Sequence, residues 1–221
     1  MIAVDGPSAS GKSTVSRRVA AELGWLYVDS GSFYRGVTWK LLREGVPADD
    51  SARILQVLRG LNMALFLHEG AVEFEIDGVR PGADLRAPAV RERVSPVSAI
   101  PEVRAFVTAR LRETARFGPI VMEGRDIGSV VFPDALFKFY LDASAEERAK
   151  RRHGDLLARR EQAEVGRVLE SLQSRDRRDS TRATAPLKVA PGAQVIDSTA
   201  LSVEEVVRRI VTAVRGVGGK G

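Results

Sequence analysis

The first group of residues able to do chemistry is a phosphate-binding pattern near the start of the chain. Residues 6–13 match G-x-x-x-x-G-K-[ST], directly after the strand-like run at residues 2–5 and directly before a helical segment. The glycines allow successive backbone N–H groups to point at a phosphate, and the helix adds the positive end of its dipole. Nucleotide contacts are predicted for Gly6, Pro7, Ser8, Ala9, Ser10, Gly11, Lys12, Ser13 and Thr14.

Two residues of this phosphate loop, residues 6–13, have specific expected roles. We expect Lys12 to bridge the β- and γ-phosphate oxygens of ATP, and the Ser13 hydroxyl to bind Mg²⁺. A phosphate loop alone does not separate a kinase from a switch or a motor. No guanine-specific pattern follows it, and the chain is short for a motor, so a small-molecule kinase is the leading class.

Arginines that follow strand-like runs form a second group. Arg35 comes shortly after residues 26–29, and Arg125 and Asp126 come after residues 120–123. Because ligands of open α/β folds bind at the carboxyl ends of the strands, we expect these arginines to face the same crevice as the phosphate loop. Phosphoryl transfer needs such cations, since two polyanions must approach each other. For Arg177 and Arg178, further along the chain, we expect only surface ion pairs.

Short apolar β-type runs alternate with segments of helical periodicity along most of the chain. The runs are residues 2–5, 26–29, 120–123, 137–141 and 194–197. Helices are predicted at residues 13–23, 103–115 and 203–214. This alternation favours a doubly wound α/β fold in which helices flank a parallel five-stranded sheet.

Two segments depart from this alternation. Residues 63–68 and 72–76 are predicted to form a small antiparallel β insert, because a Glu69-Gly70-Ala71 turn joins them. Residues 154–172 are polar and arginine-rich, which predicts a helical lid with little anchorage to the core. We predict a single domain over 1–221, with its core at 1–60, 98–147 and 183–221, the insert at about 61–97 and the lid at about 148–182.

Composition excludes several classes of protein. The chain of 221 residues contains no cysteine, so disulfides, thiolate metal sites and cysteine nucleophiles are excluded. His68 and His153 lie far apart and are predicted to have no catalytic role. No run approaches the roughly 18 apolar residues of a membrane span, and the chain starts on a strand-like run, so no membrane partner and a cytoplasmic location are expected.

The chain carries a net charge of +5 and has a pI near 9.9, which would suit nucleic acid as well as a small polyanion. One alternative is therefore a nucleic-acid-binding regulator with a vestigial phosphate loop. Aromatic residues are only 6% and do not alternate with basic ones, which argues against a stacking surface. A second alternative is a kinase for another nucleoside monophosphate or for a metabolite such as shikimate.

Taken together, the motifs resemble the bacterial cytidylate kinase family almost from end to end. The residues that carry the resemblance are 6–13, 29–31 with Tyr34 and Arg35, 124–128 with 130–134, 141–144 with 146–148, and 197–199. The resemblance implies a P-loop kinase, with ATP and Mg²⁺ as cofactors, that converts CMP and also dCMP to the diphosphates. It further implies small nucleotides as the only partners, no nucleic acid, and a monomer.

The family's site residues can be transferred to matching positions. The cytosine contacts fall on Ser95, Arg104 and Asp126, the acceptor-phosphate contacts on Ser30, Arg35, Arg125 and Arg182, and the ribose contacts on Arg175 and Asp179. Arg148, Arg151 and Arg152 resemble the arginines at the base of the family's lid, and Arg148, Arg152 and Arg159 are candidates to reach the transferring phosphoryl group. The expected catalytic set is Lys12, Arg35, Arg125, Arg148 and Arg152.

The sequence departs from the family's usual pattern at three places, which are Glu123, Ser32-Phe33 and Ser129. At position 123, directly before Gly-Arg-Asp, members of the family are expected to have aspartate as readily as the glutamate found here. Of the three, only Glu123 touches the expected site, so it bears on how Mg²⁺ or water is positioned.

Overall fold

The computed structural model describes residues 1–158 and 164–218, which form seven strands and eight α-helices. The strands are β1 Ile2–Asp5, β2 Leu26–Asp29, β3 Met63–His68, β4 Ala71–Ile76, β5 Ile120–Gly124, β6 Phe137–Asp142 and β7 Gln194–Asp197. The helices are α1 Lys12–Leu23, α2 Ser30–Arg43, α3 Ser51–Gly60, α4 Pro88–Val97, α5 Pro101–Glu113, α6 Ala145–Ala158, α7 Val165–Thr181 and α8 Val203–Gly218. The predicted α/β class, every predicted strand and the three predicted helices are confirmed.

The chain divides into two compact units. The first unit consists of Met1–Trp25 and the described part of Val121–Gly221, and the second unit is Leu26–Ile120. The single domain over 1–221 with a β insert and a lid stays a prediction.

The first unit contains a parallel sheet in the order β5-β1-β6-β7. Strand β1 lies between β5 and β6 and is buried along its whole length, as the apolar run Ile2-Ala3-Val4 requires. Helix α1 packs against α8. Helix α1 ends at Gly24, whose φ of 67° lets its N–H bond the Ala20 and Ala21 carbonyls.

Helices α6 and α7 pack on each other in the first unit through a small apolar cluster. Ala149 of α6 is buried with Val168 and Leu172 of α7. Partly buried residues that pack against this cluster are Ala9, Leu156 and Leu169. The prediction that the region is a lid with little anchorage remains a prediction. Residues 159–163, which include the lid candidate Arg159, lie outside the described part of the chain.

The second unit contains the hairpin of β3 and β4, which pair antiparallel from Met63↔Ile76 to His68↔Ala71. Strand β4 also pairs in parallel with β2 at Tyr27↔Ala71. The insert is therefore not a separate sheet, and the predicted count of five strands becomes seven. The physical reason is the alternation along β4, which buries Val72, Phe74 and Ile76. Phe74 packs on Phe33 of α2 in a tilted arrangement, with ring centroids 4.9 Å apart.

Candidate functional site

The phosphate loop connects β1 to α1 in the first unit, as the motif predicted. At Gly6 φ is 150°, and a Cβ placed there would lie 2.1 Å from the Leu141 carbonyl oxygen. At Gly11, the residue before α1, φ is 91°. Only glycine fits the close approach at residue 6, so the loop's path depends on that residue.

Lys12 is buried, with 4% of its surface exposed. Its Nζ donates to the Pro7 carbonyl oxygen at 2.5 Å and to Ser10 Oγ at 3.3 Å. Burial and, second to it, the Arg125 charge lower the pKa of Lys12 to about 7, whereas the Glu123 and Asp5 carboxylates act in the opposite direction. The lysine is therefore held inside the loop by oxygen atoms of the loop itself.

The first unit brings two of the predicted acceptor segments together. Arg125, after β5, donates through Nε to Asp179 Oδ2 at 3.1 Å, and Arg182 forms an ion pair with Asp126 at 3.7 Å. Asp126 and Asp179 are buried, with exposures of 3% and 7%. Thus each arginine pairs with a carboxylate from the other segment: Arg125 after β5 pairs with Asp179 of α7, and Arg182 after α7 pairs with Asp126 after β5.

The remaining arginines of α7 differ in their surroundings. Arg175 is half-buried and is one of the charges that lower the Lys12 pKa. Arg177 and Arg178 are exposed, and the surface ion pairs expected for them remain a prediction.

Arg148 of α6 bonds the phosphate loop and α7 at once. Its Nε donates to the Ala143 carbonyl, and its Nη1 donates to the Ser8 carbonyl at 3.1 Å and to Asp176 Oδ2 at 2.6 Å. Asp176 belongs to none of the motifs or expected contacts described above. In this arrangement Arg148 braces the loop, whereas its predicted contact with the transferring phosphoryl group remains a prediction.

Arg151 also reaches the phosphate loop region. It donates to the Ser198 carbonyl at 2.7 Å and Oγ at 3.1 Å, and to Glu147 at 3.0 Å. Ser198 in turn donates to the Ser10 carbonyl at 3.3 Å. Arg152 is half-buried on the same helix. The loop after β7 and helix α6 therefore both support the phosphate loop.

The second unit holds Arg35 beside a carboxylate that sequence reasoning left without a role. Arg35 Nη2 donates to Asp29 Oδ2 at 2.6 Å, while Asp29 Oδ1 accepts the Ser32 N–H at 3.1 Å and so caps α2. Spacing alone does not signal this pair, because residues six apart along a helix do not face each other, and Asp29 is a cap residue with an extended backbone outside the helix. Ser30, the first residue of α2, is 4% exposed.

Arg104 and Ser95 are also associated within the second unit. Arg104, 3% exposed on α5, donates through Nη1 to the Ser98 carbonyl at 3.0 Å, and Ser98 Oγ donates to the Ser95 carbonyl at 2.9 Å. The guanidinium lies 5.2 Å from the centroid of the Tyr34 ring. Tyr34, which sequence reasoning used only as a family marker, therefore helps to hold Arg104.

No group of three or more His, Cys, Asp or Glu side chains that could hold a metal ion occurs among residues 1–158 and 164–218. Mg²⁺ at a nucleotide site usually keeps several waters and takes few protein ligands besides the phosphates. Ser13 is exposed at the start of α1, beside the loop, so its hydroxyl fits that limited role. None of the described helices has the length and apolar character needed to cross a membrane.

Comparisons with known proteins identify the family of the chain. A family model described as cytidylate kinase matches residues 2–216. The cytidylate kinases of Caldanaerobacter subterraneus subsp. tengcongensis and Geobacillus kaustophilus are each 44% identical to the chain, over 97% and 96% of it and over 94% and 95% of their own lengths. A solved structure of an uncharacterized protein from Eubacterium ventriosum has a TM-score of 0.51 at 12% identity and 97% coverage of both chains, a likeness of fold alone.

The close approach at Gly6 generates a stability prediction. Gly6→Ala should lower the free energy of unfolding by about 3 kcal/mol or more, because the new Cβ would overlap a backbone carbonyl oxygen that cannot move freely. Urea unfolding followed by circular dichroism measures it. Gly154→Ala is the matched control, since Gly154 lies in α6 and an alanine Cβ there would meet nothing within 4 Å, and it should raise stability by roughly 0.5–1 kcal/mol. Equal effects of both substitutions would contradict this account of the loop.

Proposed function

The chain belongs to the cytidylate kinase family, and we propose that it transfers the γ-phosphoryl group of ATP to CMP and dCMP. The observation that carries the mechanism is the phosphate loop, with its glycine in close contact with backbone and its buried lysine at the start of a helix. In the reaction a CMP phosphate oxygen attacks the γ-phosphorus, the bond to the β,γ-bridging oxygen breaks, and ADP leaves. No protein nucleophile is required, so catalysis is positioning and electrostatic stabilisation.

On the ATP side, the loop N–H groups and Lys12 would hold the phosphates. Lys12 donates to a carbonyl and a hydroxyl, which are neutral acceptors. Phosphate oxygens are charged and make stronger hydrogen bonds, so ATP can replace those partners. Bound Mg²⁺ would supply further neutralisation of phosphate charge, with the Ser13 hydroxyl as its protein ligand.

On the acceptor side, we assign two tasks to the second unit. Arg35, with Ser30 close to it in sequence, would bind the CMP phosphate, and its bond to Asp29 orients the guanidinium. Arg104 would donate to cytosine N3 and O2, with Ser95 as a further base contact. Its burial and its contact with the Tyr34 ring restrict the guanidinium to few orientations, which favours recognition by hydrogen bonds.

The first unit would supply the remaining acceptor contacts. Arg125 and Arg182 would bind phosphate, Asp126 would accept from cytosine N4, and Arg175 and Asp179 would bind the ribose. The ion pairs Arg125–Asp179 and Arg182–Asp126 support this assignment, because they bring two cations and two acceptors of the two segments together. Arg148 and Arg152 complete the proposed catalytic set, with Arg148 also bracing the phosphate loop. A cytoplasmic location, a monomeric state and the lack of a nucleic-acid partner remain predictions.

A panel of acceptors tests the proposal directly. ADP release from ATP and Mg²⁺ is measured with CMP, dCMP, UMP, AMP and shikimate at matched concentrations. The highest kcat/KM is expected with CMP, followed by dCMP. A preference for AMP or shikimate would move the chain to another acceptor class, and salt-sensitive nucleic-acid binding without any transfer would favour the regulator alternative.

Lys12→Ala should lower kcat by roughly a hundred- to a thousandfold while the protein stays folded, because the lysine stabilises charge that develops during transfer. Steady-state kinetics and circular dichroism check both parts. Lys188→Ala, at an exposed position, is the control and should leave kcat unchanged. Near-normal turnover of Lys12→Ala would remove this residue from the mechanism.

Arg104→Met should compress the ratio of kcat/KM for CMP to that for UMP. Cytosine and uracil are nearly the same size but present inverted donors and acceptors at the base edge, so a charged donor can separate them where shape cannot. Since a charged hydrogen bond contributes about 1.5–3 kcal/mol, CMP should lead UMP by roughly two decades in the unmodified protein.

Arg110→Met on the same helix is the matched control and should leave that ratio unaltered, since Arg110 pairs with Glu113 at the surface. The KM for ATP should change little in either variant. An unchanged ratio in Arg104→Met would place the base elsewhere.

A further inference from the structure

Asp5 is a buried carboxylate that none of the steps above uses. It is the last residue of β1, directly precedes the phosphate loop, and is 3% exposed. Its Oδ1 accepts the N–H of Ile127 and its Oδ2 accepts the N–H of Gly128, both at 2.8 Å. Both oxygens of the carboxylate are therefore bonded to main chain that lies 122 and 123 residues further along.

The main chain that Asp5 holds is a π-helical turn, Ile127–Val131. The first N–H groups of a helical turn have no partner within it, so a carboxylate placed there satisfies two of them. The turn closes on the segment that carries the acceptor residues, since the Asp126 carbonyl accepts the N–H groups of Val130 and Val131 at 2.9 and 3.1 Å. The geometry of the turn thus determines the backbone position of Asp126.

Asp5 holds this segment at both ends. Its own backbone pairs with Gly124 in the register of β1 and β5, and its side chain holds the N–H groups of Ile127 and Gly128. Arg125 and Asp126 are the two residues between these attachment points. Their backbone is therefore fixed relative to Asp5, which directly precedes the phosphate loop.

The carboxylate is kept at a cost in stability. Burial, and to a lesser extent the Asp126 charge, raise the pKa of Asp5 to about 6 against the lowering effects of the two N–H bonds and Lys12. Asp126 and Lys12 are the charged groups that face it. Because the pKa in the folded protein exceeds its usual value of 3.8, the contribution of this group to the free energy of unfolding falls as the pH rises from about 4 to about 6. A neutral side chain would avoid that cost if packing were its only role.

We propose that Asp5 is a positioning residue for the acceptor substrate, which acts by fixing Arg125 and Asp126 relative to the phosphate loop. It touches neither substrate itself, and the inference rests on the proposed CMP kinase activity. Loss of one of its two hydrogen bonds would let the turn shift, and the contacts that Arg125 and Asp126 make with CMP would weaken first. The loop on the ATP side keeps its own supports from Arg148 and Ser198.

The experiment compares Asp5→Asn with the unmodified protein. Asparagine has nearly the same shape but only one acceptor oxygen, so its amide group would face the second N–H donor. We expect the KM for CMP to rise about tenfold or more, since a charged hydrogen bond is lost, while the KM for ATP changes less than about threefold. Loss of the Asp5 charge also lowers the Lys12 pKa, and this effect should lower kcat because Lys12 acts in the transfer step. Ile210→Ala, which removes a buried side chain of α8, should lower the melting temperature and leave both KM values unchanged.

The activity of the unmodified protein tests the proposed function separately. If that protein does not phosphorylate CMP, the proposed function is rejected independently of the role of Asp5. In an active enzyme, an equal rise of both KM values in Asp5→Asn, or no rise, would overturn the positioning role. If Asp5→Asn does not fold, amide hydrogen exchange in the unmodified, substrate-free protein tests whether Asp5 holds the turn. Slow exchange of the Ile127 and Gly128 amides at pH 7 is expected, and exchange at the rate of exposed amides would overturn the inference.

Discussion

The buried ammonium group of Lys12 is the constraint around which the first unit is organised. A cation that is 4% exposed must find its partners in the protein, and the Pro7 carbonyl and the Ser10 hydroxyl supply them. The carboxylates Asp5 and Glu123 oppose the effects of burial and of Arg125 on its pKa. Because the lysine has already lost most of its water, a phosphate group that enters the loop meets a cation ready to bind it.

Four arginines of the site show a similar arrangement, in which a carboxylate of the protein pairs with the guanidinium. The pairs are Arg35–Asp29, Arg125–Asp179, Arg148–Asp176 and Arg182–Asp126. Such pairs are partly buried and restrict side-chain rotation, so less entropy is lost when an anionic ligand exchanges places with the carboxylate. The carboxylates also prevent the repulsion that several adjacent cations would otherwise cause.

Several parts of the fold could be predicted because they depend on residues close together in the chain. The loop between β1 and α1 follows from the spacing of Gly6, Gly11 and Lys12, and the end of α1 follows from Gly24. The pairing of β4 with β2 could not be predicted, since strand partners far apart in sequence are chosen by burial of β4's apolar face. Nor does any local pattern signal the π-helical turn after Asp126.

The sequence by itself determined the chemistry: a phosphate loop, arginines placed after strands, and motifs that resemble one kinase family. The family match from residue 2 to residue 216 confirms the family. Only the tertiary structure decided which carboxylate holds which cation. Arg125 and Asp179 are 54 residues apart, and Asp5 and Ile127 are 122 apart. Sequence order sets the types of residue available, but the distance between two side chains depends on how strands and helices pack, because hydrogen bonds and ion pairs form only within a few ångströms.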